Sequence, residues 1–199
     1  MKEYDQLAEW YPSHRSAQIG IKDISTFAAS LPLGSNVLDL GCGDGIPISR
    51  FLLEGGFNLY GIDSSPKMIK MFKKNLPGVP VDCSDLLQSS FFDMKFDAVV
   101  AYGLMFHFPQ DKQESVIVRV SEHLVERGKF LFNSSKEQGE TVSEMNGVKV
   151  PHWSMSAPQY IQALHKNDLM AISDYEDKQS GTHIYLAQKR TRNLGKNFT

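Results

Sequence analysis

Three alternating glycines follow a short apolar run in the segment Val37 to Gly45 (VLDLGCGDG). Gly41, Gly43 and Gly45 suit a tight turn at which a ligand approaches the backbone, because any Cβ there would hold it away. A helix beginning after such a turn offers unpaired N–H groups and the positive end of its dipole to an anionic group. Asp39 adds a carboxylate beside the same turn. This combination favours a zwitterionic amino-acid moiety over a bare phosphate.

Further polar residues follow the next predicted strands. Asp63 lies about 20 residues beyond the glycines, where doubly wound folds place a carboxylate that accepts both ribose hydroxyls of a nucleotide. After the third strand, Asp82 and Asp85 compete for a role as acceptor from an adenine amino group. The fourth strand leads into Tyr102, with His107 just beyond. All of these residues lie at the carboxyl ends of parallel strands, the edge at which open α/β sheets bind ligands.

Two of these side chains have alternative interpretations. His107 is either a general base, since imidazole takes up a proton near neutral pH, or a hydrogen-bonded residue that shapes the pocket. We favour the pocket role, because no carboxylate nearby in the sequence orients the ring. Cys42 is either a reactive thiol or a small filler between two glycines, and we favour the filler. Tyr102 is interpreted as lining the ligand.

The elements that position these residues alternate along the chain. The pattern is helical to about Leu31, and alternating strands and helices then imply a parallel sheet covered on both faces. GVKVPHWSMS is interpreted as a crossover loop, and Gly181 between two β-rich runs indicates a closing antiparallel hairpin. Predicted strands are 36–41, 57–63, 79–83, 96–102 and 128–135, and predicted helices after the first strand are 46–54, 64–75 and 112–125.

These motifs together resemble those of class I, Rossmann-like methyltransferases that use S-adenosylmethionine. DLGCGDG is similar to their first motif, YGIDSSPKMI to their second, and the run ending in FDAVV to their adenine motif and fourth strand; GLMFHFP resembles the segment that follows. The similarity covers about Asn36 to Ser135. It implies an α/β, doubly wound, mostly parallel seven-stranded sheet with an antiparallel last strand and helices on both faces. It also implies S-adenosylmethionine as donor, S-adenosylhomocysteine as product and an acceptor over the carboxyl edge.

The resemblance assigns site residues as well. The family's spacing back from FDAVV favours Asp85 over Asp82 at adenine. A substrate pocket is expected at Tyr11, Phe106, His107 and Trp153, with the alternative that these aromatic side chains pack the N-terminal helices onto the sheet. The expected cofactor-binding residues are Asp39, Gly41, Cys42, Gly43, Gly45, Ile46, Asp63, Ser64, Met68, Asp85, Leu86 and Tyr102.

Composition bounds the possible partners. The 199 residues are 41% apolar and 22% charged, as in an ordinary globular domain, so we expect one domain with an N-terminal helical segment 1–35, a core 36–190 and a tail 191–199. The net charge of −2 and the pI near 6.3 give no overall attraction to nucleic acid or membrane. The basic run Lys189, Arg190, Arg192 and Lys196 is interpreted as a solvated tail.

Other features suggest a cytoplasmic protein. Cys42 and Cys83 have no metal-ligand spacing, no dedicated metal site is expected, and neither a signal core nor a membrane-spanning stretch is seen. No long insertion follows the fourth or fifth strand, which favours a small-molecule acceptor. We expect a monomer or a homodimer.

Two competing functions share parts of the pattern. A nicotinamide-dependent oxidoreductase has the same glycine turn and ribose acid, but its fingerprint requires glycine or alanine three positions beyond the second glycine, where this chain has Ile46. A protein that binds S-adenosylmethionine without catalysis would have the same motifs. The sequence does not specify which atom of the acceptor is methylated.

Overall fold

A seven-stranded sheet with strand order β3-β2-β1-β4-β5-β9-β8 forms the centre of the computed structural model, which describes residues 2–178 and 180–191. A separate two-stranded sheet consists of β6 and β7. The strands are β1 Asn36–Leu40, β2 Asn58–Asp63, β3 Val81–Cys83, β4 Phe96–Ala101, β5 Leu124–Ser134, β6 Gly139–Met145, β7 Val148–Ser154, β8 Leu169–Asp177 and β9 Thr182–Lys189.

Strand directions match the predicted fold. Strands β1 to β5 pair in parallel, whereas β9 pairs antiparallel with both β5 and β8. The last strand in sequence is therefore the antiparallel one, and the prediction of a mostly parallel seven-stranded sheet is confirmed. The strand order reverses between β1 and β4, so their carboxyl ends diverge and leave a crevice for a ligand.

Helices cover the sheet and also precede it. They are α1 Lys2–Leu7, α2 Tyr11–His14, α3 Ile21–Ala28, α4 Ile48–Glu54, α5 Pro66–Asn75, α6 Gln110–His123 and α7 Ala157–Lys166, with short 3₁₀ turns at Phe91–Asp93 and Met105–His107. The helical N-terminal pattern thus resolves into three short helices. Helix α4 begins two residues later than predicted, because Pro47 occupies its N-cap position. Ser65 caps α5, its hydroxyl accepting from the Met68 N–H.

The interpretation of GVKVPHWSMS as a crossover loop is wrong. Residues 139–154 form an antiparallel hairpin in which Met145 pairs with Val148. Asn146 and Gly147 both have positive φ, 47° and 76°, as a two-residue hairpin turn requires. Asn-Gly is a strong hairpin signal. Pro151 pairs with Val142 although proline has no N–H to donate to the ladder. An isolated two-stranded sheet tolerates proline because each strand has a free edge.

The apolar core is divided by the sheet into two layers. One layer packs β1, β4 and β5 side chains such as Leu38 and Phe130 against α6 and α7, and the other packs Val37 and Val100 against α3, α4 and α5. Lys189, predicted in the basic tail, instead belongs to β9 and donates to the Leu124 carbonyl. Arg192 and Lys196 lie outside the described residues. Within the described ranges, no helix is long and apolar enough to cross a membrane.

Candidate functional site

The turn after β1 is built from three glycines with positive φ. A Cβ at Gly41 would lie 2.8 Å from Leu104 Cδ1, and one at Gly45 would lie 2.7 Å from Leu76 Cδ1, so close packing excludes a side chain at both positions. Gly43 has open space around it and φ of +55°. The turn therefore exposes its backbone at Gly43 while Gly41 and Gly45 fit against neighbouring elements.

A cavity of about 90 Å³ lies over this turn at the carboxyl ends of β1, β2 and β4. It brings together most of the residues that the sequence assigned to the amino-acid end of the cofactor. The lining comprises Tyr4, Tyr11, Arg15, Ile19, Asp39, Gly41, Cys42, Gly43, Ile46, Pro47, Ile48, Asp63, Met68, Tyr102, Gly103, Leu104 and His107.

Asp39 lies at the floor of the cavity and is only 3% exposed. Its Oδ2 accepts a hydrogen bond of 2.6 Å from the Ser49 hydroxyl of α4. Burial outweighs this hydrogen bond and raises the pKa of Asp39 to about 7, with the nearby Asp63 adding to the rise. The carboxylate therefore lacks sufficient compensation for its charge, and a bound cation would supply it.

Asp63, at the end of β2, joins the cavity to a second depression. Its Oδ2 accepts from the Gly43 N–H at 3.0 Å and its Oδ1 from the Ser65 N–H at 2.8 Å. Burial nevertheless raises the pKa of Asp63. Each carboxylate oxygen has a second lone pair, so the side chain can accept further hydrogen bonds from a ligand.

The second depression encloses about 60 Å³ and shares Gly41, Asp63 and Leu104 with the cavity. The remaining lining residues are Ile62, Ser64, Ser84, Asp85, Leu86 and Phe108. The structure thus places Asp85 and Leu86 in the depression. Asp82 instead accepts from the hydroxyls of Ser84 and Ser89, at 2.6 and 2.8 Å, and lines neither space.

The N-terminal segment closes the cavity. Asp5 accepts from the Ser65 hydroxyl at 2.8 Å, next to the start of α5. Arg15 pairs with Asp44 of the glycine turn and lies 5.5 Å from the centre of the Tyr11 ring. Tyr4, between these anchors, contacts Tyr11 edge-on.

The sequence analysis assigns no role to several residues of this cavity wall, among them Tyr4, Arg15 and Ile19. No local pattern marks Arg15, because its partner Asp44 lies 29 residues away and the pairing depends on how the N-terminal segment folds back.

His107 lies in the 3₁₀ turn after β4 and is 8% exposed. The Pro151 carbonyl of β7 accepts a hydrogen bond from its ring, whereas Nε2 is buried without a partner. A carbonyl only accepts, so the ring nitrogen that faces it carries the hydrogen. Burial and the adjacent His152 lower the pKa of His107 to about 3, and Nε2 is therefore an unprotonated acceptor at neutral pH.

The aromatic residues of the predicted site lie in two different places. Tyr11 lines the cavity, but Phe106 and Trp153 line a separate groove against the β6–β7 hairpin. Tyr102 lines the cavity with its ring against Gly20, and its hydroxyl lies 3.4 Å from an Asp23 oxygen.

The cysteine and the third glycine of the turn serve packing. Cys42 faces Gly61, where a Cβ would lie 2.8 Å from the sulfur, and burial raises the pKa of its thiol. It is thus a packed filler and not an activated nucleophile. Gly45 packs behind the turn and does not line the cavity.

Comparison with known proteins identifies the relatives of this arrangement. Residues 37–128 match the family described as "Methyltransferase domain". An uncharacterized methyltransferase from Oceanobacillus iheyensis is 27% identical over 64% of this chain and 57% of its own length. A ubiquinone biosynthesis O-methyltransferase from Chromobacterium violaceum is 30% identical over 67% of this chain and 57% of its own. The chain spans about half the length of the curated relatives it matches.

Among solved structures, the fold is similar to that of an amino pentose methyltransferase from Micromonospora echinaspora involved in calicheamicin biosynthesis, solved with SAM bound. The TM-score is 0.72 at 15% identity, and the match covers 92% of this chain and 95% of the other. At this identity, the likeness concerns the fold alone.

Proposed function

We propose that this chain, which contains a methyltransferase domain of the class I, Rossmann-like fold, transfers a methyl group from S-adenosylmethionine to a small-molecule acceptor. When bound, S-adenosylmethionine supplies a methyl group on a positively charged sulfur, and transfer to an acceptor heteroatom yields S-adenosylhomocysteine.

The observation that carries this proposal is a pair of carboxylates at the cavity, Asp39 buried and Asp63 half-buried, that form no ion pair in the described part of the chain. Burial raises the pKa of both Asp39 and Asp63. S-adenosylmethionine carries a sulfonium and an ammonium group and would supply the missing positive charge. Arg15 supplies part of it and holds the pKa of Asp39 down, but its ion pair is with Asp44 and the pKa of Asp39 stays raised.

The two connected spaces fit the parts of this donor. Asp39 would hold the ammonium group, with the backbone of Gly41 and Gly43 beside the amino-acid moiety. Asp63, where the two spaces meet, would accept from the ribose hydroxyls. Asp85 would accept from the adenine amino group, as the spacing of the sequence motif predicts.

The remaining assigned residues would shape these subsites. Gly45 would support the turn from behind, and Cys42 would fill the cavity wall against Gly61. Packing and short hydrogen-bond contacts to the donor would come from Ile46, Ser64, Met68, Leu86 and Tyr102.

His107 would orient the acceptor. Its unpaired Nε2 offers a lone pair to an O–H or N–H group beside the cofactor cavity. Methyl transfer depends mainly on alignment and electrostatics once the nucleophile is in place, so we assign His107 a positioning role rather than that of an essential base.

The acceptor atom is left open by the relatives. One relative is named as an O-methyltransferase of ubiquinone biosynthesis, and a structural neighbour is named as an amino pentose methyltransferase.

A nicotinamide-dependent oxidoreductase is disfavoured by Ile46, which carries a branched side chain where the fingerprint of that class needs glycine or alanine. A single domain, a cytoplasmic location and a monomeric or dimeric state stay predictions.

A thermal-shift measurement tests the proposal. S-adenosylhomocysteine should raise the melting temperature, because a ligand that binds only the folded state stabilises it, by about 2.7 kcal/mol at a concentration 100 times Kd. NAD should give no shift. A shift with NAD and none with S-adenosylhomocysteine would refute the donor assignment. Binding without turnover of any acceptor by mass spectrometry would favour a non-catalytic binding protein.

A further inference from the structure

A groove lies between the β6–β7 hairpin, the carboxyl end of β5 and the amino end of β9. It encloses about 450 Å³, within the range of roughly 300–1,000 Å³ for small-molecule sites. Its lining comprises Phe106, Ser134, Ser135, Glu137, Gln138, Gly139, Thr141, His152, Trp153, Ser154, Gly181 and Thr182. The groove has room for a ring-sized molecule.

Three aromatic rings in mutual contact join this groove to the cofactor cavity. His107 lines the cavity, and Phe106 and His152 line the groove. The ring centres of His107 lie 4.6 Å from Phe106 and 5.1 Å from His152, and those of Phe106 and His152 are 5.3 Å apart. The groove and the cavity are therefore neighbours across the contact of these three rings, here called the partition.

A network of buried hydrogen bonds fixes the hairpin side of the groove. The Gln113 side-chain amide on α6 donates to the carbonyls of Phe108 and Trp153, at 2.8 and 2.9 Å. Its carbonyl oxygen accepts from the Tyr160 hydroxyl at 2.6 Å. The backbone at Trp153 is thus held by the core, so the groove wall is a preformed surface rather than a loose loop.

The chemistry of the lining selects among acceptors. Trp153, Phe106 and His152 line the groove with aromatic rings, against which a planar ring packs favourably. Among the described residues that line it, none is a lysine or arginine, and Glu137 adds a carboxylate. An anionic acceptor would be repelled, whereas a hydroxyl on the ring would find the unpaired Nε2 of His107 as its acceptor.

We infer that this groove is the acceptor site and that it takes an uncharged planar aromatic molecule bearing a hydroxyl group, which reaches the cofactor cavity through the Phe106–His107–His152 partition. This inference rests on the proposed methyl transfer. Beyond that function, it specifies the side from which the acceptor enters, the surface that binds its ring and the charge of the acceptor that the groove disfavours.

Tryptophan fluorescence can report on the groove directly, since the chain has two tryptophans, Trp10 and Trp153. The Trp10→Phe variant leaves Trp153 as the only reporter, and Trp153→Phe is the matched control that leaves Trp10. Each is titrated, in the presence of S-adenosylhomocysteine, with catechol, with the anion 3,4-dihydroxybenzoate and with non-planar cyclohexane-1,2-diol.

Catechol should quench Trp153 with saturation, at a concentration about tenfold lower than either other probe requires, which corresponds to about 1.4 kcal/mol. Trp10 should show no saturable change. Absence of saturable quenching of Trp153 by catechol, or equal affinity for the anion, would overturn the inference.

A charge variant tests the selectivity. Glu137→Lys should lower the half-saturating concentration of 3,4-dihydroxybenzoate several-fold, since it replaces a repelling charge by an attracting one. Glu140→Lys makes the same charge change three residues further along the chain, on β6, but this residue does not line the groove and the variant should leave the titration unchanged. Equal effects of the two variants would indicate general surface attraction and would overturn the selectivity.

The same samples separate failure of the inference from failure of the proposed function. If S-adenosylhomocysteine raises the melting temperature but catechol does not bind, the groove assignment fails and methyl transfer stands. If S-adenosylhomocysteine gives no shift, the donor assignment itself fails.

Discussion

Replacement of Asp39 by asparagine should stabilise the ligand-free protein increasingly as the pH rises. Asp39 is 3% exposed and accepts one hydrogen bond, from Ser49. In the folded protein, burial raises its pKa from 3.8 to about 7. Asparagine has nearly the same shape, can still accept from the Ser49 hydroxyl and does not ionise.

The sign and size of the effect follow from linkage. The pKa of Asp39 is higher in the folded protein than in the unfolded chain, so the protonated carboxyl favours folding. This contribution to the free energy of unfolding is fully present below pH 3.8 and is lost as the pH rises through about 7. The loss in the wild type amounts to about 2 kcal/mol at pH 5 and about 4 kcal/mol at pH 8. The buried amide of Asp39→Asn adds a constant offset of about 1–3 kcal/mol where its N–H groups lack partners. The pH trend is therefore the quantity to measure.

Urea denaturation of the wild type and of Asp39→Asn at pH 5, 6.5 and 8 gives the two free energies of unfolding. The difference between them should change by about 2 kcal/mol between pH 5 and 8, in favour of the variant at high pH. Ser49→Ala should extend the loss of stability to higher pH, because the Ser49 hydroxyl holds the pKa of Asp39 down. A difference that is the same at every pH would refute the reasoning.

Donor binding provides a second measurement on the same residue. If Asp39 holds the ammonium group of the donor, binding of S-adenosylhomocysteine near pH 6 should release a proton, because a neighbouring cation favours the ionised carboxyl. The binding enthalpy of the wild type should then vary with the ionisation enthalpy of the buffer. The enthalpy for Asp39→Asn should not vary in this way.

Further predictions concern the other site residues. Asp63→Ala should weaken binding of S-adenosylhomocysteine roughly ten- to a hundredfold by calorimetry, the effect of losing hydrogen bonds to a charged group worth about 1.5–3 kcal/mol, and an unchanged Kd would reject its ribose role. Asp85→Asn should reduce that affinity more than Asp82→Asn, because the Asp82 carboxylate accepts from the Ser84 and Ser89 hydroxyls instead of facing the donor. A larger effect of Asp82→Asn would show that Asp82, not Asp85, binds adenine. His107→Ala at saturating donor should raise the acceptor's KM and leave kcat within about a hundredfold, and a larger loss of kcat rescued by imidazole would identify a required base. Since the pKa of His107 is lowered to about 3, the ratio of wild-type to variant activity should be constant from pH 5 to 8, and an acid limb in that ratio near pH 6.5 would contradict the burial argument.

Local sequence patterns predicted strands β1 to β5 and most of the residues that line the two spaces at their carboxyl ends. In β1 to β5, an apolar run predicts a buried strand, and the polar turn that follows it predicts the end of the strand at which a ligand binds. The same pattern therefore predicts both the strands and the site residues. The hairpin of β6 and β7 was missed although Asn146 and Gly147 were visible. Without the hairpin, the sequence could not predict the groove or the environment of His107, because the hairpin contains Pro151 and one wall of the groove.

The sequence by itself determined the five parallel strands β1 to β5 and the carboxylates at their carboxyl ends, because these depend on short-range periodicity. Only the tertiary structure decided which distant groups meet. It paired Arg15 with Asp44, set the Pro151 carbonyl against the His107 ring, and placed Phe106 and Trp153 outside the cofactor cavity. Such contacts join residues tens of positions apart, and burial and pKa arise from all neighbours together, which no local pattern records.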